Sequence, residues 1–260
     1  MFGNDFYMTD LLTPTRKQVA DWARLSQKKF RRESGQFLIE GEVCVREALK
    51  AKVVDCLLVL STEAERWELL SREHPKLLSY RVNSDVFQRV SQVETTQGIA
   101  AIGKQFKLPA RKSGLTMLCE QVSDPGNCGA LLRVADFFGV SELILGAGST
   151  DVWNEKVVRG SMGSLFHQPV REVEDIHALI KEWKGDSLAL VAHGGEEVSS
   201  TLQLKAPKLL VLGNETRGLS PELEESCTRK LTLTPHGQAE SLNLVTAAAV
   251  FCYALSKKLV

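Results

Sequence analysis

The chain has 260 residues, 43% of them hydrophobic and 25% charged, with 32 Lys and Arg matching 32 Asp and Glu. This is enough apolar material for one large or two small cores, which excludes wholesale disorder, and no run approaches the ~18 apolar residues of a membrane span. The balanced total divides unevenly: residues 1–112 hold 19 basic against 14 acidic side chains, and residues 113–260 hold 13 against 18. A basic part suited to a polyanion thus precedes an acidic part with another task, and scatter of surface charge is the plain alternative.

Residues 1–13 read as a tail. It lacks the basic and apolar regions of an export signal and is not the Arg-rich, acid-free stretch of a transit peptide, so the cytoplasm is expected. Pro14 after Thr13 marks a helix start. Val19, Trp22, Ala23 and Phe30 form its apolar stripe, with Ser26 weakening the middle. Arg16, Lys17, Arg24, Lys28, Lys29, Arg31 and Arg32 face only Asp21 in this segment, a basic face dense enough to predict a polyanion contact.

Alternation then begins. QFLIEG, DCLLVLS, LLSYRVN and TTQGIAAIGK read as strands, and EGEVCVREALKAK, TEAERWELLSRE and NSDVFQRVSQ as helices. This makes an α/β domain over residues 14–103. KQFKLPARKSG, with four positive charges, a Pro and a Gly, reads as a linker at 104–113. In residues 114–260 the strand-like runs are LTMLCE, ELILG, PVREV, SLALVAH, KLLVLGN and KLTLT, separated by helix-like runs. That pattern predicts a parallel sheet covered on both faces.

Cys44, Cys56, Cys119, Cys128, Cys227 and Cys252 show no C-x-x-C or zinc-finger spacing, and several sit in apolar runs, so they read as free core thiols and no metal is expected. A phosphate loop, H-E-x-x-H, G-x-S-x-G and G-x-G-x-x-G are absent; LILGAGSTD has Gly146 and Gly148, but Asp151 stands where the third glycine belongs.

Three segments carry a signal. In VSDPGNCGALLRVADFFGV, Asp-Pro-Gly makes a turn, Asn127 is placed to cap a helix, Gly129 permits close packing, and Arg133 needs a pocket, partner or polyanion. Taken alone, Asn127 is an ordinary cap and Arg133 a surface charge. In KLLVLGNETRGLSPEL a buried strand ends in a turn bracketed by Gly213 and Gly218, at the carboxyl end where parallel sheets bind ligands; alone it is an ordinary strand-to-helix turn. In LTLTPHGQAESLNLVTAAAVFCYAL a polar loop leads through Ser241, Leu242 and Asn243 into an Ala-rich helix whose small residues allow another backbone close.

Together, DPGNCGALLRVADFFG, VLGNETRGLS and HGQAESLNLVTAAA, in this order and spacing, resemble the three motifs of the SpoU–TrmH family of RNA ribose 2′-O-methyltransferases, within the SPOUT superfamily. KVVRGSMGSLFHQPV resembles the family's connecting segment, and KKFRRESGQFLIEGEVCVREAL the small substrate-binding domain of its ribosomal-RNA-modifying members. The resemblance implies an α/β fold whose C-terminal parallel-sheet domain is a trefoil knot, preceded by a small α/β RNA-binding domain. It implies S-adenosylmethionine held near Leu212, Gly213, Leu231, Leu233 and Leu242, without a metal. It also implies a catalytic set of Asn127, Arg133, Glu215, Ser241 and Asn243, and a homodimer through the C-terminal domain in which the partner can supply Arg133. Arg24, Lys28, Lys29, Arg31 and Arg32 would then contact RNA. Where the family often has a small apolar residue and Ser after the final Asn, this chain has Leu244 and Val245, and Cys128 replaces the more usual aliphatic residue.

The expected activity is methylation of a ribose 2′-hydroxyl in structured RNA, ribosomal RNA being favoured by the N-terminal segment and transfer RNA standing as the alternative. A non-catalytic RNA-binding or assembly protein of the same fold would have lost Asn127, Arg133 or Asn243, and all three are present. A nucleotide-cofactor oxidoreductase would need the glycine fingerprint that is missing.

Overall fold

A computed structural model describes residues 11–256 apart from 92, 94, 113 and 199–202; the first ten residues of the expected tail lie outside this set. The chain divides into two compact units, one running to Phe106 and including Trp153–Arg159, the other comprising Lys107–Val152 and the chain from Gly160 onward. None of the described helices is long and apolar enough to cross a membrane.

In the first unit α1 (Arg16–Ala23) starts at a capping box: the Thr15 hydroxyl accepts from the Gln18 amide at 3.2 Å, and the Gln18 side chain accepts from the Thr15 amide at 2.9 Å. The apolar stripe predicts one helix reaching Phe30. Instead the chain passes through a 3₁₀ turn at Arg24–Ser26, extends at Gln27 and restarts as α2 (Lys28–Ser34). Ser26 donates its hydroxyl to the Ala23 carbonyl at 3.0 Å, a local bond that competes with helix continuation.

The break decides the fate of Arg31. Arg31 is 2% exposed, and its Nη1 donates to the Leu25 and Ser26 carbonyls of the 3₁₀ turn, 2.7 and 3.0 Å away. Arg31 therefore does not belong to the RNA-contacting face assigned to it from sequence. Arg24, Lys28, Lys29 and Arg32 are exposed, Arg24 lying 3.4 Å above the Phe30 ring.

A four-stranded sheet follows, ordered β1 (Gln36–Glu40), β4 (Ile99–Lys104), β2 (Val54–Leu60), β3 (Leu78–Val82). β4 runs antiparallel to both neighbours, and β2 and β3 are parallel. Helices α3 (Glu42–Lys50), α4 (Ala64–Glu73) and α5 (Ser84–Val90) connect the strands. Val19 and Trp22 of α1 join Leu58, Tyr80, Phe87 and Ile102 in one core. The returning segment belongs to this unit through Trp153, whose ring packs 4.7 Å from Phe37 and 5.1 Å from Phe106, and through Arg159, 3.5 Å from Glu40.

The second unit is a seven-stranded sheet ordered β7 (Val170–Val173), β6 (Leu143–Gly146), β5 (Leu115–Cys119), β10 (Lys208–Leu212), β8 (Ser187–Leu190), β11 (Arg229–Thr232), β9 (Glu196–Glu197), parallel throughout. Every residue of β5, β6 and β10 is buried, as continuous apolar runs in a parallel sheet require. β9 is a two-residue exposed strand with no counterpart among the expected elements. The late strands insert between earlier ones, β10 between β5 and β8, and β11 between β8 and β9. Helices α6 (Pro125–Phe137), α8 (Ile176–Glu182), α9 (Pro221–Ser226) and α10 (Leu244–Ser256) belong to this unit, α6 and α10 packing on one another, while α7 (Glu155–Gly160) lies in the returning segment of the first unit up to its last residue.

Candidate active site

The carboxyl ends of β8, β10 and β11 open on a cavity of about 570 Å³, within the ~300–1,000 Å³ common for small-molecule sites. Its apolar wall is Leu190, Leu212, Leu233 and Leu242, with Ala247 and Phe251 of α10 behind. Bare backbone at Gly213 and Gly237 and the side chains of Glu215, Arg217, His236, Glu240 and Ser241 complete the lining. The location obeys the rule that ligands bind beyond the carboxyl ends of parallel strands.

The loop after β10 is built by its own sequence. Asn214 and Gly218 exchange backbone bonds at 2.8 and 3.0 Å, and the Asn214 carboxamide oxygen accepts from the Thr216 and Arg217 amides at 3.0 and 3.2 Å. Gly213 has no alternative: a Cβ there would lie 2.1 Å from the Gly218 carbonyl carbon.

This presentation turns Glu215 toward the first motif. Its carboxylate accepts from the Asn127 Nδ2 at 3.4 Å, the Asn214 Nδ2 at 3.1 Å, and the Ser123 and Asp124 amides at 3.5 and 3.3 Å. One side chain thus joins the β10 loop to the start of α6. The cap of α6 is Asp124, which accepts from the Asn127 amide at 2.8 Å, with Pro125 in the first turn. Asn127 is therefore not the cap expected from sequence. It sits one turn in, and its carboxamide is turned to Glu215. α6 approaches the end of α7 at Gly129, where a Cβ would lie 2.7 Å from the Gly160 carbonyl carbon.

The remaining residues named from sequence separate. Leu212, Gly213, Leu233 and Leu242 line the cavity together with Glu215 and Ser241. Leu231 does not: its side chain is fully buried and its carbonyl accepts from the Val191 amide at 2.9 Å, so the sheet consumes it. Asn243 borders the lining and caps α10, accepting from the Val245 amide at 2.8 Å. Arg133 is exposed on α6. Six residues along an α-helix place it about 240° around and ~9 Å beyond Asn127, away from the Glu215 junction.

Leu190, at the end of β8, and Arg217 and His236 were missed from sequence. The end of SLALVAH carried a usable signal, since it closes a strand of the same parallel sheet. Among the described residues no group of three His, Cys, Asp or Glu side chains could hold a metal. The thiols here are core members: burial, with Asp151 and Glu215 adding, pushes Cys128 up to about 12, and burial raises Cys119 well above its ordinary range, so neither is a nucleophile near neutral pH.

Residues 114–253 match the SpoU rRNA Methylase family, and residues 16–101 match the MRM3-like substrate binding domain. The chain is 32% identical over 257 residues to the 23S rRNA (guanosine(2553)-2′-O)-methyltransferase RlmP of Bacillus subtilis, covering 95% of this chain and 99% of the relative. Among solved structures it is similar to an AdoMet-bound rRNA methyltransferase from Sinorhizobium meliloti, with TM-score 0.81, 26% identity, and coverage of 96% of this chain and 98% of the other. It shares its fold with the SpoU methyltransferase AviRb from Streptomyces viridochromogenes, with TM-score 0.83 at 24% identity over 94% of this chain and 98% of the other. With two of the three ordered motifs walling one cavity, the first tied to them through Glu215, and a family match over more than half its length, the chain belongs to the SpoU rRNA methylase family.

Proposed function

We propose that the protein transfers the methyl group of S-adenosylmethionine to a ribose 2′-hydroxyl of ribosomal RNA. The observation that carries this reading is the Glu215 junction, which brings the first family motif to the rim of a cavity walled by the other two. The similarity to a 23S rRNA 2′-O-methyltransferase along the whole chain supports ribosomal RNA as the substrate.

The cavity fits the cofactor. Leu190, Leu212, Leu233 and Leu242 offer an apolar surface for an adenine ring, and the bare backbone at Gly213 and Gly237 offers amides and carbonyls to polar edges. When bound, the cofactor supplies an already activated sulfonium methyl group, so the chain's task is to orient the acceptor oxygen and deal with its proton. Glu215, engaged by four N–H donors, fixes the relation between the cofactor loop and Asn127, while Ser241 offers a hydroxyl at the wall. Arg133 presents a fork of N–H donors and no acceptor; its part is to hold the adjacent phosphate and stabilise charge developing on the 2′-oxygen, whose proton passes to solvent.

Arg133 points away from the junction in its own chain, and α6 and α10 carry exposed Phe137, Val250 and Tyr253. We read these as the face of a homodimer in which each protomer supplies Arg133 to its partner's cavity. A C-terminal segment threaded through an earlier loop, the trefoil knot of the resemblance, would account for the insertion of β10 and β11 between earlier strands. The first unit, with exposed Arg24, Lys28, Lys29 and Arg32, is read as the RNA-gripping domain. The expected site of action is the cytoplasm.

The test is methyl transfer from labelled S-adenosylmethionine to total RNA from cells lacking the protein, wild type against Arg133→Ala. Label in one alkali-resistant ribosomal dinucleotide, lost with the variant, is expected. Label in transfer RNA alone would move the substrate, and cofactor binding without transfer to any RNA would defeat the enzymatic reading.

A further inference from the structure

The arginines of the second unit fall into two groups. Arg111, Arg171 and Arg229 pair with Asp136, Glu142 and Glu196 at 2.6, 2.8 and 3.4 Å. Arg133 and Arg217 have no carboxylate partner among the described residues, and both lie within family motifs. Arg133 already has a part in the proposed reaction; Arg217 has none.

Arg217 is exposed and lines the cavity. Its Nη2 donates to the Gln121 Oε1 at 2.7 Å. Gln121 lies in the loop after β5 and is itself held: its Nε2 stands 3.5 Å from the Gly148 carbonyl in the loop after β6, and its backbone carbonyl accepts from the Asn214 Nδ2 at 3.3 Å. Gly148 has φ +82°, and a Cβ there would lie 2.9 Å from the Gln121 Nε2. A neutral carboxamide thus orients the guanidinium without cancelling its charge. Two acids share the lining. Glu215 is engaged by Asn127, Asn214 and the Ser123 and Asp124 amides, and Glu240 lies on the loop after β11.

We infer that Arg217, aimed by Gln121, clamps a backbone phosphate of the substrate RNA beside the ribose being methylated. The inference rests on the RNA ribose methylation proposed above. A phosphodiester flanks every ribose, so a 2′-hydroxyl presented to the cavity brings a phosphate to its mouth, and the guanidinium fork matches two phosphate oxygens. Gln121 is then a positioning residue, outside the motifs, whose work is done through Arg217.

The test uses the full chain as Arg217→Ala, Arg217→Lys and Gln121→Ala, protein-free ribosomal RNA, and S-adenosylmethionine. RNA affinity is measured against salt, cofactor affinity by calorimetry, and kcat and KM where transfer occurs. Arg217→Ala is expected to raise Kd and KM for RNA about tenfold or more and to flatten the log–log salt slope by about 0.7–0.9, with cofactor Kd within twofold. Lys should recover part of the loss and the slope, and Gln121→Ala should weaken RNA binding in the same direction by less. The turn around Arg217 is made by Asn214, so loss of the side chain leaves it intact; should Arg217→Ala nonetheless misfold, Gln121→Ala decides. Weakened cofactor binding with unchanged RNA binding would assign Arg217 to the cofactor's carboxylate and overturn the clamp, as would no change in either. RNA binding is read without catalysis, so the clamp can fail while methylation stands, and the reverse.

Discussion

Glu215 concentrates four contacts in one carboxylate, and their chemistry separates its roles. Each donor is an amide N–H, so Glu215→Gln keeps the shape but forces one amide group to face donors. Glu215→Ala frees Asn127 and the β10 loop from each other. Because ~1 Å of misplacement can cost 10²-fold in rate, the alanine variant should lose on the order of 10² in kcat/KM. It should lose only about 1 kcal/mol in stability, since the site is half-exposed. Steady-state kinetics beside thermal melts check this; unchanged kcat/KM would remove Glu215 from the site. Arg31 gives the opposite signature. Arg31→Ala strips the Leu25 and Ser26 carbonyls of their donor and should cost about 1–3 kcal/mol by urea denaturation. Replacing the exposed Lys28, Lys29 and Arg32 should leave the urea midpoint alone, weaken RNA binding and flatten its salt dependence. If Arg31→Ala changed only RNA affinity, the burial argument would fall.

At the scale of elements, the two glycine contacts are the rigid joints of the site. Gly129→Ala places a methyl 2.7 Å from backbone of Gly160, and neither helix can yield without moving α6 and with it Asn127. A loss of roughly 1–3 kcal/mol together with most activity is expected, read by calorimetric melting and by transfer assay. An alanine variant as stable and active as wild type would mean that the helices separate freely. The same elements show what the sequence made legible. KLLVL, LTMLC and LILG announce a parallel sheet because both faces are covered and no polar alternation survives. Gly213 and Gly218 announce a turn, Gly213 because no side chain fits and Gly218 because its φ of +70° disfavours any other residue. Asp124 and Asn127 are equally good capping types for α6, and only the register of the first turn, which the sequence does not display, makes Asp124 the cap. The break at Ser26, and with it the burial of Arg31, hangs on a hydroxyl-to-carbonyl bond that apolar periodicity does not register. The insertion of β10 between β5 and β8 was illegible for a different reason: strand order follows from non-local pairing, and no local pattern encodes it.

At the scale of the whole molecule, the proposed dimer makes a quantitative demand. If Arg133 acts only across the interface, a chain lacking Arg133 and a chain lacking Glu215 are each inactive as homodimers. A mixed dimer then holds one complete site, formed by the intact Glu215 of one protomer and the Arg133 of the other, while its second site lacks both. Random reassortment of equal amounts makes half the dimers mixed, so total activity should return to about a quarter of wild type, as two-fold symmetry requires. If Arg133 acts within its own chain, every site in every dimer lacks one residue and mixing restores nothing. The measurement is transfer activity of the separate and co-refolded variants, with light scattering to give the mass. A charge introduced at the 83% exposed Phe137 is the second arm. On the dimer reading, Phe137→Asp abolishes both the dimer mass and the recovery on mixing, because it puts a carboxylate into a contact between apolar faces. A fully active monomer with Phe137→Asp would show that α6 and α10 face solvent, and that Arg133 reaches the ribose from its own chain.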